Sequence, residues 1–70
     1  MTTQRIRARL RSADRTDVIA RDTMGATMLI LPDGRQGMVF TLASGYRGVL
    51  DGEPFADLNL PDLITLITTA

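Results

Sequence analysis

Chemistry in a protein needs a nucleophile, a base, a metal ligand or a charged grip, and this sequence supplies few of them. It contains no His and no Cys. That excludes an imidazole base, a thiol nucleophile, a disulfide framework and a zinc finger. Ser12 and Ser44 have no His to activate them. Asp51, Glu53 and Asp57 place three carboxylates in the stretch from Asp51 to Asp57. A calcium loop needs more oxygen ligands at regular spacing. Two carboxylates can run acid–base chemistry, but only in a cleft, and 70 residues leave little chain to build one. The expectation is a non-enzyme without metal or cofactor.

What remains is a grip for opposite charge. Arg5, Arg7, Arg9 and Arg11 alternate with Ile6, Ala8 and Leu10. Period two predicts a strand with one wet and one buried face. Four guanidinium groups on one strand face would stand about 7 Å apart. Such a stripe could neutralise several phosphates or dock on an acidic protein surface. The bland alternative is a solvated face whose arginines pair with Asp14, Asp17 or Asp22 across a hairpin. Gly45-Tyr46-Arg47-Gly48 offers a second candidate, because Tyr and Arg are enriched at binding hot spots. Its bland alternative is a tight turn with Tyr46 folded over the core. Arg5, Arg7, Arg9, Arg11, Tyr46 and Arg47 are therefore the candidate partner-binding residues.

Net charge is zero, but it is segregated. Residues 1–22 carry six Arg and three Asp, while Asp51, Glu53, Asp57 and Asp62 stand unopposed by any base in residues 49–70. Either the two ends neutralise each other within one fold, or they steer an encounter with another surface. Zero net charge, one Tyr, two Phe and no Trp argue against a general nucleic-acid binder, which would need basic surface and stacking platforms.

The elements that must position these residues read as follows. Ser12 to Asp17 is polar turn chemistry, and Val18-Ile19-Ala20-Arg21 a short strand returning on the first segment. Ala26 to Leu31 and Met38 to Leu42 are strands joined by Pro32-Asp33-Gly34-Arg35-Gln36-Gly37, a hairpin. Ser44-Gly45 and Gly48 break the chain, Val49-Leu50 is a further short strand and Asp51-Gly52 a turn. Leu60, Leu63, Ile64 and Ile67 fall on one helical face, with Pro61 and Asp62 suited to the first turn. That face is the candidate oligomer interface.

The central hairpin is apolar on both sides. Met28 and Ile30 point opposite to Leu29 and Leu31, and Met38, Phe40 and Leu42 opposite to Val39 and Thr41. One short helix covers one face at most, so the other needs a closed sheet or a second molecule. Leu, Ile, Val and Phe make up 19 of 70 residues, enough for a folded core. A core this small commonly borrows cover from an oligomer or a partner.

The expected fold is α+β and mainly β, one domain over residues 1–70. It is a small antiparallel meander or partly closed barrel of four to five short strands with a short C-terminal helix. No apolar run approaches the roughly 20 residues needed to cross a bilayer. The segment from Met1 to Arg5 lacks the apolar core of a leader. The expectation is a cytoplasmic protein. Its expected function is a small non-catalytic protein-binding module, a regulator, adaptor or inhibitor that occludes an acidic surface on a larger complex. A phage or mobile-element inhibitor of a host defence complex is consistent with the size. The alternatives are a nucleic-acid-binding small barrel that uses the arginine stripe, and a structural homo-oligomeric accessory subunit.

Overall fold

The computed structural model describes residues 2–70, so Met1 of the segment read for a leader lies outside the described residues. The order is α1 (Thr2–Ser12), β1 (Ile19–Thr23), β2 (Ala26–Ile30), β3 (Gln36–Leu42), β4 (Gly45–Leu50), β5 (Glu53–Leu58) and α2 (Leu60–Thr69). The five strands form one antiparallel meander in sequence order. The sheet is open, with β1 and β5 as its edges, so the meander and not the barrel is realised.

The arginine segment is a helix, not the strand that alternation predicted. Ile6 and Leu10 stand one turn apart and are buried with Thr3, while Ala8 is exposed. A strand would have buried all three apolar residues. Arg is a good helix former. Arg9 and Arg11 in the last turn suit the negative end of the helix dipole. The helix stops at Asp14, whose φ of 61° is left-handed. Arg15 N–H donates to Leu10 C=O at 2.8 Å and Asp14 N–H to Arg11 C=O at 3.1 Å, the paired bonds of a Schellman stop.

Without a strand at residues 5–11, β1 pairs with β2 instead. Met24 and Gly25 join them with φ of 48° and 85°, and Asp51 and Gly52 join β4 to β5 with 54° and 81°. Both are two-residue turns of the I′ class, whose twist matches the flanking strands. β4 runs from Gly45 without the expected break. Gly48 faces Val39 on β3, and a Cβ there would meet the Met38 carbonyl oxygen. The glycine marks close backbone approach, not a chain break. The carboxylate stretch runs from the Asp51–Gly52 turn into the edge strand β5, where Pro54 is tolerated.

α2 matches its expectation. The Asn59 side chain accepts from the Asp62 N–H at 2.8 Å, and Pro61 lies in the first turn. α1 packs on β1 and β2, α2 packs on β4, and the helices touch each other. One core lies between helices and sheet. Ile6 and Leu10 of α1 and Leu63, Ile64 and Ile67 of α2 meet Ala20, Leu29, Val39 and Leu50 of the sheet. The buried Thr3 and Thr27 hydroxyls, 2.7 Å apart, tie α1 to β2, and Thr3 also donates to Asp22 at 3.4 Å. Both helices therefore cover the same face of the sheet.

Candidate functional site: the open face of the sheet

Cross-strand partners in an antiparallel ladder share a face. Ala20, Leu29, Gly37 and Leu50 form one inward row, and Thr27, Val39, Gly48 and Phe55 the next. The alternate rows face away from the helices. One runs Arg21, Met28, Met38, Val49 and Pro54, and Ile19 pairs with Ile30 beside it. Phe40 pairs with Arg47 on the other side, and Leu42 lies beyond. Ile19 is 48% exposed, Phe40 47%, Leu42 46% and Val49 43%. The face that the sequence left uncovered is thus found, and no element of the described chain lies over it.

Arg21 and Arg47 are the charged residues in register on this face. Neither forms an ion pair with a described residue. Beside Arg47 the β4–β5 ladder shifts register between Tyr46 and Gly48. A shallow cavity of about 400 Å³ opens there, with Phe40, Arg47, Val49, Pro54 and Ala56 among its walls.

The other candidates are distributed differently. Arg5, Arg7, Arg9 and Arg11 are all exposed, but helical geometry splits them into two pairs that flank the buried stripe. Arg5 and Arg9 lie on one side, Arg7 and Arg11 on the other. The single-faced stripe and its 7 Å spacing do not exist in this fold. Arg7 is held by its Nε, which donates to the Ala20 carbonyl at 2.7 Å on the β1 edge. Tyr46 and Arg47 are neighbours in a strand, so they point to opposite faces. Tyr46 packs against the core and Arg47 is exposed.

The helical face proposed as an oligomer interface is used within the chain itself. Leu63 and Ile67 are fully buried, Ile64 nearly so, and Leu60 packs at the rim of the same core. The correction has a simple cause: two helices share one face of the sheet, and their apolar stripes are consumed there.

No protein-family model, curated protein or solved structure matches the chain. The functional reading therefore rests on its own surfaces.

The charge segregation is not resolved by internal pairing. The ion pairs among the described residues are Arg15–Asp17 at 3.0 Å, Arg35–Asp33 at 2.6 Å and Arg35–Asp51 at 3.2 Å. None joins the basic first segment to the acidic last one. Arg35 clamps the β2–β3 turn to the β4–β5 turn. Its backbone N–H and guanidinium hold the Asp33 carboxyl below the ordinary aspartate range. The Arg35 guanidinium is pushed up by its hydrogen bonds to Asp51 and then Asp33. Asp51 thus serves a structural clamp. Among the described residues no group of three His, Cys, Asp or Glu side chains is placed to hold a metal ion. No helix of the described residues is long and apolar enough to cross a membrane.

Ile19, Arg21 and Val49 were not among the sequence candidates. The signal for them was the apolarity of both sides of the β2–β3 hairpin. Its missing part was the placement of both helices, which decides which face stays bare.

Proposed function

We propose that this chain is a small non-catalytic protein-binding module that docks through the open face of its sheet. The observation that supports it is an uncovered, contiguous apolar face with Arg21 and Arg47 set into it. The occupant that fits is an apolar surface of a larger protein that presents carboxylates to these two arginines. Charge complementarity favours such a partner over a second copy of the chain, since two copies face to face would bring arginine-bearing surfaces together.

The area points the same way. Five strands about 4.8 Å apart and roughly 20 Å long give a face of about 480 Å². Obligate homodimers bury upwards of about 1,000 Å² on each side, whereas transient regulatory contacts use less than about 600 Å². The face matches a reversible contact, with Phe40 and Val49 as apolar anchors and the arginines as orienting charges.

Size-exclusion chromatography with light scattering, followed by capture with immobilised protein, tests this reading. A monomer of 7.7 kDa is expected, with a captured partner that is lost with Val49→Glu and Arg47→Glu but kept with Arg5→Glu/Arg9→Glu. A stable dimer of the wild type, or capture indifferent to the open-face variants, would overturn it.

A further inference from the structure

A second surface, which meets the open sheet face at Ile19, has the chemistry of an anion site. Arg7 and Arg11 project one turn apart from the same flank of α1. Arg15 follows directly on the Schellman stop that ends this helix. The three arginines line one cavity of about 230 Å³, whose floor includes the buried Leu10, Val18 and Ala20. Its lining includes no carboxylate.

Two of the three arginines are fixed in advance by bonds at one edge. Arg7 spends its Nε on the Ala20 carbonyl. Arg15 donates its Nε to Asp17 at 3.0 Å and one terminal nitrogen to the Thr68 carbonyl at 3.2 Å. The remaining donors of both forks are not engaged by described residues. The Arg11 side chain makes no ion pair or hydrogen bond with any described residue, which leaves its whole guanidinium open to a ligand. Asp17 offsets one of the three positive charges, so the cavity carries a surplus of two. That surplus matches the charge of a phosphate monoester near neutral pH, and guanidinium forks match its oxygens two at a time. The volume exceeds what a bare phosphate fills, given about 30 Å³ for each water it would displace. The apolar floor supplies a seat for the carbon stem of an ester.

We infer that Arg7, Arg11 and Arg15 form a binding site for a phosphate monoester whose stem lies on Leu10, Val18 and Ala20. This site sits at the β1 edge and does not depend on the docking role of the open face. The monoester can come from a small phosphorylated molecule or from a phosphorylated side chain.

The test is a titration followed by backbone amide NMR at low salt, where screening is weakest, with phenyl phosphate as the probe. Saturable shifts are expected at residues 15–20, with tighter binding than for inorganic phosphate or benzoate. Arg11→Gln, which removes no hydrogen bond or ion pair within the fold, is expected to lower the melting temperature no further than Arg9→Gln in the same last turn of α1, and to weaken binding about 10-fold or more. Arg5→Gln/Arg9→Gln, on the other flank, is expected to leave it unchanged. A phosphotyrosine peptide that binds more tightly than phenyl phosphate assigns the ligand to a protein, and equal or weaker binding assigns it to a small molecule. Absence of saturation at about 10 mM phenyl phosphate, or equal weakening by the variants of the two flanks, would overturn the site.

Discussion

Among the glycines of the sheet, Gly48 lies closest to a neighbouring backbone, and its substitution offers a quantitative test of the strand register. A Cβ at this position would stand 1.9 Å from the Met38 carbonyl oxygen, 2.9 Å from its carbon and 3.2 Å from the Val39 Cα. All three are backbone atoms, so no change of rotamer relieves the contact. Real Cβ contacts begin near 3.0 Å, so β3 and β4 would have to part by about 1 Å at the centre of the sheet. Overpacking of this kind costs about 1–3 kcal/mol. Weakening the two nearest ladder hydrogen bonds adds about 0.5–1.5 kcal/mol each. A Gly48→Ala loss of about 2–6 kcal/mol compares with a total stability of about 4–10 kcal/mol for a domain of this size. At about 4–8 °C per kcal/mol, a loss of about 3 kcal/mol lowers the melting temperature by about 12–24 °C. Gly52→Ala is the matched control, since nothing lies within 4 Å of its Cβ position and only its φ of 81° is disfavoured. Its cost is about 1 kcal/mol. Thermal melts followed by circular dichroism compare the two variants. A Gly48→Ala melt within a few degrees of wild type, or no lower than that of Gly52→Ala, would refute the β3–β4 register.

Three further outcomes follow from the packing. Thr27→Val removes the 2.7 Å partner of the buried Thr3 hydroxyl, leaving only the longer bond to Asp22. It is expected to cost about 1–3 kcal/mol, and Thr3→Val/Thr27→Val to recover most of that, as read by a double-mutant cycle in urea. Asn59→Ala deletes the α2 cap and is expected to cost about 0.5–2 kcal/mol in the same assay. Asp33 has its carboxyl held low, so its ionised form contributes stability above the unfolded value and loses that contribution as pH falls through the lower folded value. The melting-temperature gap between wild type and Asp33→Asn should therefore close on acidification below about pH 4. A gap that is constant with pH would contradict the clamp.

The elements legible in the sequence were those with one dominant local signal. Pro61, Asp62 and the spacing of Leu63, Ile64 and Ile67 marked α2, and turn residues between two apolar runs marked the β2–β3 hairpin. The first helix was misread because Ile6 and Leu10 satisfy both a period of two and a helical turn, so only the exposure of Ala8 separates the readings. Gly48 looked like a break because its reason, the backbone of β3, is distant in sequence. Tyr46 and Arg47 looked like one site because adjacency along a strand hides the alternation of faces. The open face was half legible. That one side of the hairpin would stay bare unless the sheet closed or a second molecule covered it followed from apolarity alone. Which side did not, because it depends on a helix that alternation concealed.

Photocrosslinking in living cells tests the docking face most directly. A benzophenone side chain placed at position 40 or 49 on the open face, and at position 5 or 9 on α1, reports which surface lies against another protein. Discrete adducts heavier than twice the 7.7 kDa chain are expected from positions 40 and 49 and not from 5 or 9. Adducts at twice the chain mass, or adducts formed equally from both surfaces, would contradict a sheet face that docks on a different protein.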